Sequence, residues 1–300
     1  MINYTFCPVC GSSRISPVFA VTDYTVSRQS FAIEECLDCS VRFTQGVPGP
    51  EEMAPYYHAE SYISHSDSRK GLINRLYHFA RKITLYQKKK IIANATGLQD
   101  GRLLDVGAGT GAFMQYMQSA GWDVTGLEPD LKARHNANEI NGVRLLPMTE
   151  LENFSANTFD VITLWHVLEH VHNLHDYLKN LKHIMKPGGA LFIAVPNYTS
   201  YDASTYLTYW AAYDVPRHLY HFSPNSMRML LAAHELKLQK IKPLWLDSFY
   251  ISLLSEKYEA GHDRLVRAFL QGAKSNLKAW FNNEKCSSLI YIARQLQPLP

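Results

Sequence analysis

Hydrophobic and polar positions alternate between two regimes along this chain. Short apolar runs, Leu103–Val106, Asp123–Leu127, Phe159–Trp165 and Leu191–Val195, are separated by stretches of helical period. Phe113, Met114, Tyr116 and Met117 follow the first run at helical spacing. Strands alternating with helices predict a parallel sheet covered by helices on both faces. Before this region, the spacing of Ile73, Leu76, Tyr77, Ala80, Ile83, Ile91 and Ile92 predicts a helix from about Leu72 to Ala95. Nearer the start, Phe19–Tyr24 and Phe31–Glu34 read as short strands. After it come a strand near Leu238–Leu246, a helical insertion over about 251–281, and a last strand over Ser288–Ala293.

The first apolar run leads into Asp105-Val106-Gly107-Ala108-Gly109-Thr110-Gly111, a sharp strand-to-helix turn. Glycines there allow positive φ and close approach of a ligand. The helix start behind them offers unpaired N–H groups. The spacing is Gly-x-Gly-x-Gly, not that of the dinucleotide fingerprint. Asp105 would repel a pyrophosphate but suits a cationic ligand, which counts against a dinucleotide oxidoreductase. S-adenosylmethionine fits, having an ammonium, a sulfonium and no phosphate. The next strand ends in Glu128-Pro129-Asp130, and an acid there can accept two ribose hydroxyls.

On these residues the chain resembles the class I S-adenosylmethionine-dependent methyltransferases. Phe159–Val171 is similar to that family's fourth strand and the turn after it, and Lys186–Asn197 to the turn into its fifth. The resemblance covers roughly residues 98–248. It implies an α/β, Rossmann-like sheet of seven strands, mostly parallel with the last antiparallel. It implies cofactor contacts from Asp105, Val106, Gly107, Ala108, Gly109, Gly111, Glu128 and Pro129, with Trp165 and His166 beside the cofactor's methionine end. Many relatives carry an Asp after the third strand. This chain has Pro147-Met148-Thr149-Glu150, leaving Glu150 or an amide near Thr149 as adenine contacts.

Four of the five cysteines form two pairs, Cys7-x-x-Cys10 and Cys36-x-x-Cys39. Two such pairs can wrap one tetrahedral zinc, which predicts a structural zinc ribbon over residues 1–46. Two disulfides or a redox pair are the rival readings, and Cys286 reads as a small core residue. Residues 47–97 then form a linker, with Tyr62 and His65, and a helix; 98–300 form the methyltransferase region. Lys88-Lys89-Lys90 reads as a solvated helix face.

An aromatic segment from Tyr198 to Phe222 follows the fifth strand, on the side where open α/β sheets bind ligands. Within it Pro216–Pro224 is similar to a stretch found in many of these methyltransferases. His218 and His221 are the base candidates, and Ser223 is placed to cap the next helix. The expected acceptor is a small molecule, a nucleotide-linked sugar or another secondary metabolite; a similar cysteine module precedes the core of bacterial sugar C-methyltransferases. An RNA acceptor is the second reading, and a net charge of +3 without a basic stripe counts against it. A non-catalytic binding module is the third. No apolar run is long enough to span a membrane and no leader is recognised, so a cytoplasmic protein without membrane contact is expected. A homodimer through the insertion stays open.

Overall fold

A computed structural model describes the backbone of residues 1–57 and 72–296 and the side chains of 1–57 and 81–296. Tyr62 and His65, and the side chains of Ile73, Leu76, Tyr77 and Ala80, lie outside the described residues. The central sheet contains β4 (Arg102–Val106), β5 (Asp123–Leu127), β6 (Phe159–Trp165), β7 (Met185–Pro196), β9 (Leu236–Pro243) and β10 (Ser288–Gln295). Their order is β5-β4-β6-β7-β10-β9. The first four pair in parallel, and β10 runs antiparallel to both its neighbours.

The sheet is therefore α/β and mostly parallel, with an antiparallel last strand. It has six full strands. The position of a seventh, beyond β5, is reduced to a single parallel bridge between Leu127 and Leu146. Pro147 follows at once and has no N–H to carry the ladder on. Covered on both faces, the central strands are apolar almost throughout: Leu103, Leu104, Val161, Ile162, Leu164, Ile193 and Val195 are fully buried.

The N-terminal residues build a smaller antiparallel sheet from β1 (Ile15–Thr22), β2 (Ser30–Cys36) and β3 (Arg42–Thr44). Its fourth strand, β8 (Tyr220–His221), comes from the aromatic segment of the larger region. Cys7, Val9, Val41 and Phe43 share one apolar cluster with Phe222, Met227 and Leu230. The ribbon thus has no core of its own that ends at residue 46.

The predicted first helix is α1 (Leu72–Thr96). Helices α2 (Ala112–Gln118), α3 (Leu131–Asn141), α4 (Leu174–Ile184), α5 (Tyr201–Tyr206) and α6 (Pro224–Ala233) follow their strands, and Ser223 caps α6 as expected. The insertion is a helical hairpin, α7 (Asp247–Ala260) and α8 (Leu265–Phe281). Gly272 lets the two helices cross closely: a Cβ there would lie 2.7 Å from the Phe249 ring and 3.0 Å from its Cα. Buried Asp202 on α5 anchors the hairpin, accepting from Trp210, Ser275 of α8 and Ser287 at 2.6–2.7 Å. Among the described residues no helix is long and apolar enough to cross a membrane.

Candidate active site

The Gly-x-Gly-x-Gly turn sits where β4 ends and α2 begins. All three glycines have positive φ. A Cβ on Gly107 would meet Val167 at 2.4 Å, and one on Gly111 would meet Val143 at 2.3 Å. A Cβ on Gly109 would meet nothing within 4 Å, so the middle glycine faces open space. The Gly109 N–H donates to Glu128 Oε2 at 2.8 Å, and the Asp130 N–H to Oε1 at 3.0 Å. Glu128 is thereby fixed at the strand tip, with lone pairs left over on both oxygens. Burial pushes its carboxyl up, against those two amide bonds.

Around this turn, Val106 is buried in β4, the Ala108 N–H donates to the Leu127 carbonyl at 2.9 Å, and the Pro129 carbonyl accepts from Arg134 at 2.8 Å. Asp105 is buried and accepts from Thr163 Oγ1 at 2.7 Å. Burial pushes it up to about 7, against the Thr163 bond and the Lys88 charge.

Lys88 is the cation that faces it. Its Nζ lies 4.2 Å over the Trp165 ring and 5.5 Å from the Phe113 ring. Burial pulls its ammonium down to about 8, while Asp105 and Asp247 hold the charge on. The expectation that Lys88 lies on a solvated face is corrected here. A signal for this existed: Leu85, Lys88, Ile92 and Ala95 recur at helical spacing, so Lys88 falls in the stripe that α1 packs against the sheet.

Trp165 ends β6, with its Nε1 buried and without a hydrogen-bond partner among the described residues. His166 follows, with φ 58. Its Nε2 lies 2.8 Å from Asp247 Oδ2 and its Nδ1 3.4 Å from Glu169 Oε1. Burial would lower its basicity, but the two carboxylates outweigh burial and push it up to about 10.

A second polar cluster joins Glu169 to the aromatic segment. Glu169 is buried, and His166 Nδ1 approaches its Oε1 at 3.4 Å. One ligand atom each of Glu169, His170 and His218 lie within 4.8 Å of one another. The two rings stand edge to face, 4.6 Å apart. His218 Nδ1 is 2.8 Å from the Ala212 carbonyl, and His170 Nδ1 is 2.9 Å from that of Arg217. A carbonyl can only accept, so each Nδ1 carries a proton; His218 Nε2 lies 3.9 Å from Asp214 Oδ2. Burial above all pulls His170 down to about 4.

His221 is placed differently. It lies on β8 against the ribbon, 3% exposed, with Nε2 3.1 Å from Thr44 Oγ1 and its ring against Tyr213. Burial holds it neutral. Arg217, almost fully buried, bonds Asp214, the Tyr56 carbonyl and Thr25, tying the aromatic segment to the ribbon.

The four cysteines converge. Cys7 Sγ is 3.5 Å from Cys39 Sγ, Cys10 Sγ is 3.6 Å from Cys36 Sγ, and all four sulfurs lie within 4.8 Å of one another. These separations are far beyond a disulfide bond and close to the edge, about 3.8 Å, of a tetrahedron with 2.3 Å zinc–sulfur bonds. Gly11 and Ser40, each just after a pair, both have positive φ and donate N–H to the carbonyls of Cys7 and Cys36 at 2.9 Å. The two halves thus form like turns around one centre. Cys286 is fully buried, as expected of a core residue.

Residues 76–241, more than half of the chain, match the family described as methyltransferase domain. The chain is 36% identical over 110 residues to the ubiquinone biosynthesis O-methyltransferase of Bordetella avium, covering 34% of this chain and 46% of that protein. It is 27% identical over 164 residues to the mitochondrial ubiquinone biosynthesis O-methyltransferase of Homo sapiens, covering 49% and 44%. The chain thus spans less than half the length of these curated relatives. In fold it is similar to the Burkholderia thailandensis 1,6-didemethyltoxoflavin-N1-methyltransferase, solved with its substrate and S-adenosylhomocysteine. The TM-score is 0.52 at 16% identity, covering 93% of this chain and all of that one. With its glycine turn, its strand-tip Glu128 and the family match over residues 76–241, the chain belongs to the class I S-adenosylmethionine-dependent methyltransferase family.

Proposed function

We propose that this chain transfers a methyl group from S-adenosylmethionine to a protonated oxygen or carbon of a small, polar acceptor, with His218 as the base. S-adenosylmethionine supplies an electrophilic methyl on a sulfonium. The residues fit it: Gly109 leaves room at the turn, and Glu128 keeps lone pairs for the ribose hydroxyls. Lys88 is the cation for the methionine carboxylate, and Trp165 offers an aromatic face and an unpaired N–H. Asp105 balances Lys88 and the ligand's ammonium.

The observation that carries the acceptor side is the orientation of His218. Its Nδ1–H is held by the Ala212 carbonyl, which leaves Nε2 to take a proton from the acceptor. Glu169 and His170, whose ligand atoms lie within 4.8 Å of it, can receive that charge or position the hydroxyl. His221, bonded to Thr44 inside the ribbon interface, takes a structural role in this reading. The relatives' O-methyltransferase names put hydroxylated acceptors beside nucleotide-linked sugars in the screen.

The four cysteines hold a structural zinc, a closed site without an open coordination position. The test begins with calorimetric titration of S-adenosylmethionine into the purified chain, followed by an acceptor screen. His218→Ala is expected to keep the cofactor affinity and lose turnover at least a hundredfold. Unchanged turnover would remove the base assignment; absent cofactor binding in folded, zinc-loaded protein would remove the function.

A further inference from the structure

Helix α8 is built inside out. Its inward face carries only small residues, Ala268, Gly272, Ser275 and Ala279, all buried. Its large apolar residues point outward: Leu265, Val266, Phe269, Leu270, Leu277, Trp280 and Phe281 are exposed by 52% at Leu270 to 82% at Phe281. At 3.6 residues per turn the six from Val266 on fall within an arc of about 120°. With side chains of about 150–250 Å² each, the stripe exposes roughly 700 Å², above the roughly 300–600 Å² that a monomer usually leaves open. The neighbouring edge carries Arg267, Lys274 and Lys278, and α8 contains no acidic residue. Arg267 is paired with Glu256 and Glu259 of α7, so the carboxylates near the helix are compensated.

From this we infer that α8 docks the protein on an anionic phospholipid surface, its apolar stripe sunk among the acyl chains and Lys274 and Lys278 among the headgroups. An apolar arc ending in Trp and Phe and bordered by lysines is the pattern of a helix lying in the membrane interface. Charge disfavours an antiparallel pairing with a second copy of the chain. In a two-fold antiparallel pair the same edge of each helix faces the same side, so the lysines of both copies would meet. This contact is peripheral, consistent with the absence of a spanning helix among the described residues. It revises the expectation of no membrane contact and is independent of the acceptor.

The experiment is flotation of the full chain with phosphatidylcholine vesicles, with and without phosphatidylglycerol, at low and high salt. Binding is expected only with phosphatidylglycerol, weakening with salt. Lys274→Ala and Lys278→Ala should each weaken it about fivefold. Leu277→Glu and Trp280→Glu should abolish it while leaving cofactor binding intact, which shows that those variants fold. No flotation of the unsubstituted chain with anionic vesicles overturns the inference. So does flotation that survives Leu277→Glu and Trp280→Glu. A dimer in sedimentation that these substitutions dissociate, without vesicle binding, assigns the face to a second copy instead.

Discussion

His166 Nε2, at the end of a core strand, lies 2.8 Å from Asp247 Oδ2, the first residue of the inserted helical hairpin. Glu169 Oε1 approaches the other ring nitrogen at 3.4 Å. The insertion is therefore electrostatically joined to the mouth of the cofactor turn, and an imidazolium clamped by two carboxylates bridges them.

This pair has a pH signature. The folded-state value of His166 is pushed up to about 10, above its ordinary 6.5. Its stabilisation is then complete below pH 6.5 and is lost as pH rises towards 10. The ring is about one-third exposed, so solvent screens the pair, and Asp247→Asn is expected to cost about 1–2 kcal/mol at neutral pH. Thermal melts across pH check this: the gap between unsubstituted and variant protein should close towards pH 10. An NMR titration should place His166 lower in the variant.

Lys88→Met should weaken S-adenosylmethionine binding by roughly tenfold, the loss of one charge-assisted contact. The free protein's ammonium is pulled down to about 8. Affinity should accordingly fall as pH rises past about 8, and this dependence should vanish in Lys88→Met. Calorimetry at several pH values reads both effects.

The glycines separate folding from binding. Gly109→Ala places a methyl in open space at φ +56 and is expected to cost about 1–2 kcal/mol of strain while weakening cofactor binding. Gly111→Ala places its Cβ 2.3 Å from Val143 at φ +73, and should depress the melting temperature far more. Comparing melts with binding isotherms distinguishes the two roles.

Metal analysis should find one zinc per chain, and Cys36→Ser should lose it. The loss is expected to reach beyond the ribbon. The Cys39 carbonyl accepts from Asn225 at 3.1 Å, the Ser40 carbonyl from Tyr198 OH at 2.7 Å, and Ser40 Oγ is 2.9 Å from Ser223 Oγ, the cap of α6. Chelation should therefore lower the melting temperature of the whole chain in one transition, not release a separate ribbon. Two well-resolved transitions would contradict this coupling.

The glycine turn, its acid and the paired cysteines are local. Adjacent φ demands, a strand ending in Glu128 and ligand spacing of two residues are all written within a few positions. Such features were legible from the chain alone, as were the sheet class and the capping of α6 by Ser223. Residues brought together across long separations were not. Asp247 reaches His166 only because β10 inserts between β7 and β9 and sets the hairpin over the sheet edge. His221, singled out beside His218 for its place in one short segment, lies instead on β8, which pairs with β3 and completes the ribbon's sheet, whereas His218 precedes that strand.

By itself the sequence determined the periodicities, the turn chemistry and the pairing of the four cysteines, because each depends on steric and donor properties of neighbouring residues. Only the tertiary structure decided which titratable groups share a pocket. It drew Lys88 over Trp165 and gathered Glu169, His170 and His218. It also left the stripe of α8 outside. The reason is that burial and field strength belong to distances between elements, and the pattern within any one element cannot contain them.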